Sequence, residues 1–288
     1  MALFPQSFVD QMIGRCSVAG SKIWMNCNPR GPSHYFLKEY IQKAVEKQIY
    51  YLHFMLDDNL TLDPKIKERY KRMYTGVFYR RYILGQWAQA EGLIYTGFDK
   101  ARHVWKQAQL DSWIKHNPIV HLTAGVDFGG SGSATVYTLV GFTRNWKKAI
   151  VLDEYFDPNN ISSEHVIKMW VKKAELWKSM YPRLSDAFLD HEMLLVKSFR
   201  TATPQINVRL AKKSEIYDRI VATDMMMALD KLVIMDHCEH LIESLESAVW
   251  NEKKGNDYVR LDDGTVNIDS LDSFEYACER YYRDILRV

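Results

Sequence analysis

Hydrophobic and polar positions follow strand-like patterns most clearly in the middle of the chain. Three apolar runs, at residues 122–128, 134–143 and 147–156, have the length and β-branched content of strands. The turns between them, Gly-Gly-Ser-Gly after residue 128 and Thr-Arg-Asn-Trp after residue 142, are short enough to force antiparallel pairing. The pattern therefore predicts three consecutive antiparallel strands, and the acid Asp127 lies where the first of them ends.

Further along the chain, helical and strand-like periodicities alternate. Helices are predicted from Ser162 to Met180, from Ser214 to about Leu229, from Glu239 to Ala248 and from about Asp269 onwards. Short strands are predicted at residues 187–189, 208–210 and 232–235. This order resembles a ribonuclease H-like mixed α/β sheet with flanking helices, in which the first and fourth strands lie side by side and parallel. Asp127 and Asp190 are then expected to meet at neighbouring strand ends.

The N-terminal part has a different pattern, which resembles the edge of a second, incomplete α/β sheet. Strands are predicted from Ser21 to Asn26 and from Ile49 to Met55, with a helix from Ser33 between them. A further helix is expected to begin at Pro64 after an Asp63 cap. We therefore expect a partial α/β domain at residues 1–95, a linker at 96–118 and the ribonuclease H-like domain at 119–288.

Composition and charge restrict the class of protein only moderately. The chain has 288 residues, 47% of them hydrophobic, and a net charge of +2, which neither requires nor excludes a nucleic-acid partner. No apolar run approaches the roughly 20 residues that a membrane-spanning helix needs, so we expect no membrane association and a cytoplasmic protein. The four cysteines are far apart, which argues against a zinc site and a disulfide framework.

Acidic residues supply the candidate chemistry. Carboxylates that converge on two hard cations about 3.5–4 Å apart can cleave phosphodiesters. Asp127 and Asp190 are two candidates, and Asp269 and Asp272 are spaced to share one face of the last helix. Each acid alone also has a simpler explanation: a turn for the first two, an N-cap for Asp269 and the helix dipole for Asp272. The glycine turn after Asp127 could hold a metal, a phosphate or only a turn amide.

Four short segments, taken together in order and spacing, point to one family. They are the Asn26–Pro29 turn with Gly31, Pro32 and His34; Tyr79–Trp87 with Glu91–Tyr95; Gly125–Gly129; and Ala211–Lys213 with Asp269–Ala277. On these motifs the sequence resembles the C-terminal part of phage terminase large subunits, over essentially its whole length. That family joins a packaging ATPase to a ribonuclease H-like nuclease that cuts concatemeric double-stranded DNA.

The resemblance implies roles for individual residues. It implies that Asp127, Asp190 and Asp272 bind two Mg²⁺ or Mn²⁺ ions, and it places Asp269 where relatives often have a histidine. Lys212 and Lys213 are expected at the phosphate backbone. Asn28 resembles the coupling motif at the end of the ATPase core. The implied partners are double-stranded DNA, the terminase small subunit and the portal protein, in the host cytoplasm at the procapsid portal.

The sequence also departs from the family pattern. It contains no G-x-x-x-x-G-K-[ST] phosphate loop, so no ATPase activity is expected from this chain alone. The departure is explained equally by a truncated reading frame and by one half of a split terminase, and in the second case a separate chain supplies the ATPase core. Two other functions stay open. The turn after Asp127 also resembles the first phosphate turn of actin-like ATPases and sugar kinases, but the second such turn is missing, with only Asp262–Thr265 in a polar loop. The chain could instead be a noncatalytic terminase fragment that acts as an interaction module.

Overall fold

The computed structural model describes residues 4–31, 34–88, 92–130, 133–159, 162–251, 259–262 and 267–287. They form two compact units, one of residues Met1–Gly92 with Trp250–Val259 and the other of Leu93–Val249 with Arg260–Val288. Gly132 of the glycine turn and residues 263–265 of the polar loop lie outside the described ranges. Within those ranges, no helix is long and apolar enough to cross a membrane.

The first unit is helical in its regular parts. Its helices are α1 (Gln6–Gly14), α2 (Pro64–Met73) and α3 (Gly76–Tyr82). Helix α2 begins as predicted, because the Asp63 carboxylate accepts a hydrogen bond from the Lys65 backbone N–H at 2.7 Å and Pro64 occupies the first helical position. A small core forms around the buried side chains of Val9, Phe36 and Tyr40.

Both strands predicted in the first unit are wrong. Residues 21–26 and 49–55 are irregular, and the predicted helix between them contains a short π-helix at Leu37–Ile41. A strand needs a neighbour for its backbone hydrogen bonds, and no described residue pairs with either segment as a strand. The apolar side chains of the second segment are left in solvent, with Tyr50 85% and Phe54 69% exposed.

The second unit is built on one seven-stranded mixed sheet. Its strands are β1 (Val104–Trp105), β2 (Ile119–Asp127), β3 (Thr135–Thr143), β4 (Ala149–Asp157), β5 (Leu184–Leu189), β6 (Asn207–Leu210) and β7 (Leu232–Met235), in the order β1-β7-β4-β3-β2-β5-β6. Strands β2, β3 and β4 pair antiparallel, and every other pair is parallel. The predicted three-strand meander and the mixed α/β fold are therefore confirmed.

Helices cover both faces of this sheet. They are α4 (Lys100–His103), α5 (Gln107–Ile114), α6 (Ser163–Met180), α7 (Met193–Ala202), α8 (Ile216–Ala228), α9 (Glu239–Ser247), α10 (Asp269–Cys278) and α11 (Tyr282–Ile285). The aromatic side chains of α6 and α7 pack on one face, where Tyr137 donates a hydrogen bond to the Val166 carbonyl at 2.7 Å and contacts the Trp170 ring. Helix α7 was not predicted, and α4, β1 and α5 lie within residues 96–118, where we expected a linker.

Helix α10 lies on the opposite face and packs unusually close to β2. The Ser273 hydroxyl donates to the Gly125 carbonyl at 3.0 Å and accepts from the Thr138 hydroxyl at 2.9 Å. A Cβ atom added to Gly125 would lie only 1.8 Å from the Ser273 carbonyl oxygen, so no larger residue fits there without displacing the helix. This contact fixes the first turn of α10 beside the end of β2.

Candidate functional site

Two of the predicted acids lie next to each other at one edge of the sheet. Asp127 is the last residue of β2, and Asp190 directly follows β5. The two strands are parallel neighbours with Val126 opposite Leu189, and the Asp190 backbone N–H donates to the Val126 carbonyl at 3.0 Å. The sequence-based expectation that these strand ends meet is therefore confirmed, because the carboxyl ends of paired parallel strands lie at the same edge.

The other two acids reach this edge from the first turn of α10. Asp269 is the first residue of the helix rather than its N-cap, which is Ile268. Its carboxylate instead accepts a hydrogen bond from the Ala134 backbone N–H at 2.6 Å, just after the glycine turn. Asp272 lies one turn further along the helix. The close packing of α10 on β2 thus brings together four acids that are spread over 146 positions of the sequence, from 127 to 272.

The proximity of these acids affects the pKa of Asp127. Only 7% of this residue is exposed. Burial, followed by the charges of Asp272, Asp190 and Asp269, raises the pKa of the Asp127 carboxyl well above its ordinary value. Burial also raises the pKa of Asp269, although its hydrogen bond from Ala134 opposes the shift. Carboxylates that repel one another in this way form an environment that a cation stabilises.

Asp272 has partners that the sequence did not suggest. Arg219 of α8 and Arg260 each donate to its Oδ1 oxygen, at 2.7 and 3.2 Å, and both arginines also bind Glu275. Burial disfavours the charged guanidinium of Arg219, but Glu275 and Asp272 outweigh that effect and raise its pKa. One sequence feature could have indicated this network: Glu275 follows Asp272 by three positions, so the two acids share a helix face.

The two lysines predicted at the DNA backbone differ in their surroundings. Both are exposed, but Lys213 forms an ion pair with Asp190, with 2.5 Å between Nζ and Oδ1. The loop between β6 and α8 is held by the buried Glu279, which accepts hydrogen bonds from the backbone N–H groups of Lys213 and Ser214 at 2.9 and 2.6 Å. Lys213 therefore contacts the acidic cluster, and Lys212 is its exposed neighbour in the sequence.

The predicted coupling residue belongs to the other unit. Asn28 is exposed in the irregular segment that follows α1, in the unit of residues Met1–Gly92 with Trp250–Val259. The four acids and both lysines belong to the second unit.

The carboxylate oxygens of the four acids suit a hard divalent cation, because Mg²⁺ and Mn²⁺ prefer such ligands. Mutual repulsion at Asp127 also fits a site that takes up positive charge. Across the described ranges, however, no three histidine, cysteine or acidic side chains are grouped closely enough to hold a metal ion. Lys213 on Asp190 and the two arginines on Asp272 already neutralise part of the acidic charge.

Among solved structures, the chain is similar to the large terminase of a thermophilic bacteriophage. One crystal form matches with 31% sequence identity and a TM-score of 0.82, covering 96% of this chain and 68% of the phage protein. The same large terminase in complex with ATP-gamma-S matches with 33% identity and a TM-score of 0.80, covering 96% and 67%. This chain therefore spans about two thirds of the length of that relative. No protein-family model and no curated protein matches it.

Proposed function

Because this chain belongs to the phage large terminase family, we propose that it is the metal-dependent endonuclease of a DNA-packaging terminase, which cuts concatemeric double-stranded DNA. One observation carries the proposal: Asp127, Asp190, Asp269 and Asp272 converge at one sheet edge and repel one another. The actin-like or sugar-kinase alternative gains no support, because the second glycine-rich phosphate turn that it requires is missing from the sequence.

In this proposal the four acids are the ligands of two Mg²⁺ or Mn²⁺ ions. Asp127, in the middle of the cluster, would serve both ions, while Asp190 and Asp272 would each hold one, with Asp269 as a further ligand. When bound, such ions activate a water molecule and stabilise the leaving oxygen of the phosphodiester. The exposed side chain of Lys212, and Lys213 next to it, would attract the DNA backbone independently of sequence, and this attraction weakens as salt rises.

Nicking of supercoiled plasmid by the purified chain tests this function. We expect conversion to the open circle in Mn²⁺ or Mg²⁺, because the carboxylates then hold their ions, and no conversion in EDTA. The rate should fall as salt rises from about 50 to 200 mM, as expected for a protein that binds through phosphate contacts. Equal rates with and without EDTA, or no nicking in either metal, would contradict the proposal.

The nucleotide-binding part of the packaging motor is not recognisable in these 288 residues. The thermophilic-phage terminase was solved with ATP-gamma-S, and about a third of that chain has no counterpart here. The present sequence contains no phosphate-loop motif. We propose that the ATPase core is supplied from outside these 288 residues, with a separate chain as a candidate source and Asn28 coupling the core to this chain. The terminase small subunit and the portal protein are the further proposed partners, in the host cytoplasm at the procapsid portal.

The missing phosphate-loop motif leads to a prediction for the isolated chain. We expect no ATP hydrolysis above background, with or without DNA, because a backbone loop that holds the phosphates is missing from the sequence. A phosphate-release assay on pure protein measures it. DNA-stimulated ATPase activity of this chain alone would show that it carries its own nucleotide site.

A further inference from the structure

Asp272 belongs to a largely buried group of four charged side chains, which we call the arginine–carboxylate quartet: Arg219, Arg260, Asp272 and Glu275. Arg219 and Arg260 are only 4% and 2% exposed as side chains, Glu275 is fully buried, and Asp272 retains 20% exposure. Two positive and two negative charges balance to zero. Such a balance allows the arginines to be buried, since an unpaired buried charge is strongly destabilising.

The two arginines bind only one oxygen of Asp272. Arg219 Nη1 lies 2.7 Å and Arg260 Nη1 3.2 Å from Oδ1, and no group in the described ranges donates a hydrogen bond to Oδ2. The carboxylate is therefore held by one oxygen, and the other is free to bind a ligand. Asp272 is also the most exposed member of the quartet, so it forms the link between this buried network and the acidic cluster.

Glu275 determines how much of the arginine charge falls on Asp272. Arg219 Nη1 is shared between Asp272 and Glu275, at 2.7 and 2.9 Å, while Arg260 uses Nη1 for Asp272 and Nη2 for Glu275. If Glu275 were neutral, both guanidinium groups would be balanced by Asp272 alone. Asp272 would then have little negative charge left for a cation.

From this geometry we propose that Arg219, Arg260 and Glu275 are positioning residues that fix the orientation of Asp272 and preserve its charge for a divalent cation. The inference rests on the proposed nuclease function. Outer partners of metal ligands typically contribute 10–100-fold to metal affinity or activity. A purely structural quartet would contribute only to folding, so metal affinity measured on folded protein separates the two roles.

The experiment measures Mn²⁺ binding by electron paramagnetic resonance, without DNA, for the parent, Glu275→Gln and Arg260→Lys. Circular dichroism confirms that each protein is folded at the temperature of measurement. We expect Glu275→Gln to weaken Mn²⁺ binding about 10–100-fold. Arg260→Lys keeps the quartet neutral but lacks the forked guanidinium that binds both carboxylates. We expect it to weaken Mn²⁺ binding about 10-fold or more. It also provides a second variant in case Glu275→Gln does not fold.

Arg81→Lys is the matched control. Arg81 is fully buried in the first unit and donates through Nε to the Ala88 carbonyl at 3.0 Å, so it tests the effect of changing a buried arginine elsewhere. Its Mn²⁺ affinity should equal that of the parent. If the parent binds Mn²⁺ and both quartet variants bind it equally well, the positioning role is wrong while the nuclease proposal stands. A parent that neither binds Mn²⁺ nor nicks DNA would overturn both.

Discussion

Asp127→Asn is expected to lower the plasmid-nicking rate at saturating Mn²⁺ by at least about 100-fold, which is the upper end of the loss caused by changing an outer partner of a metal ligand. Asp127 is the most buried of the four acids and interacts with the charges of the other three. Asparagine keeps the shape of the side chain but removes the negative charge that two cations would share.

The same substitution should stabilise the fold. Burial and three neighbouring acids raise the folded-state pKa of Asp127 above its unfolded value. An acid shifted in this direction makes the folded protein less stable as the pH rises from the unfolded pKa through the folded one. Asparagine carries no charge, so burying it avoids the loss of stability that the ionised Asp127 causes. Asp127→Asn should therefore melt at a higher temperature than the parent at pH 8, and the difference in melting temperature should shrink towards pH 4.

The control for both measurements is Asp236→Asn. Asp236 also directly follows a buried strand of the same sheet, β7, but its side chain is 47% exposed. It should nick plasmid at the parental rate and show no comparable gain in melting temperature. Loss of nicking without any gain in stability would point to damage of the fold, and a nicking rate within about threefold of the parent would remove Asp127 from the proposed site.

Gly125→Ala is expected to destabilise the second unit on the order of 3 kcal/mol, which is at the high end for overpacking. The added Cβ would lie 1.8 Å from the Ser273 carbonyl oxygen and 2.9 Å from the Ala277 backbone nitrogen. Both contacts are backbone atoms, so no side-chain rotation can relieve them. For a unit of this size, the loss corresponds to a fall in melting temperature of about 6–12 °C.

Because the clash pushes on α10, nicking by Gly125→Ala should fall even at temperatures where the variant is folded. The control is Gly130→Ala in the nearby turn, where an added Cβ meets no atom within 4 Å. That variant should melt close to the parent. A Gly125→Ala protein that melts within about 1 °C of the parent would show that α10 can move away from β2 at little cost.

Local sequence patterns were sufficient to predict the centre of the second unit. Runs of apolar residues with short turns specified the antiparallel meander, and the order of later elements put β5 beside β2, which brought Asp127 and Asp190 together. The spacing of Asp269 and Asp272 predicted a shared helix face. In each case the determining interactions lie within a few residues, or follow from the few topologies that such an order of elements allows.

Other features depend on partners that are distant in the sequence. The contacts of Arg219 and Arg260 with Asp272 join three separate parts of the chain, and nothing in the residues around either arginine indicates them. The segment Ile49–Met55 has the composition of a strand but not its structure, because β propensity reflects packing against neighbours more than an intrinsic backbone preference. The two-residue strand β1 is too short to have a detectable periodicity.

The close packing of α10 on β2 has a consequence for the order of folding. Ser273 and Gly125 are 148 residues apart, and contacts between such distant residues form slowly because a long loop must first close. Pairing of β2 with β5 is enough to bring Asp127 and Asp190 together, whereas Asp269 and Asp272 join them only when α10 docks. In the proposed nuclease, the complete set of four carboxylates would therefore depend on a contact between two parts of the chain that are 148 residues apart.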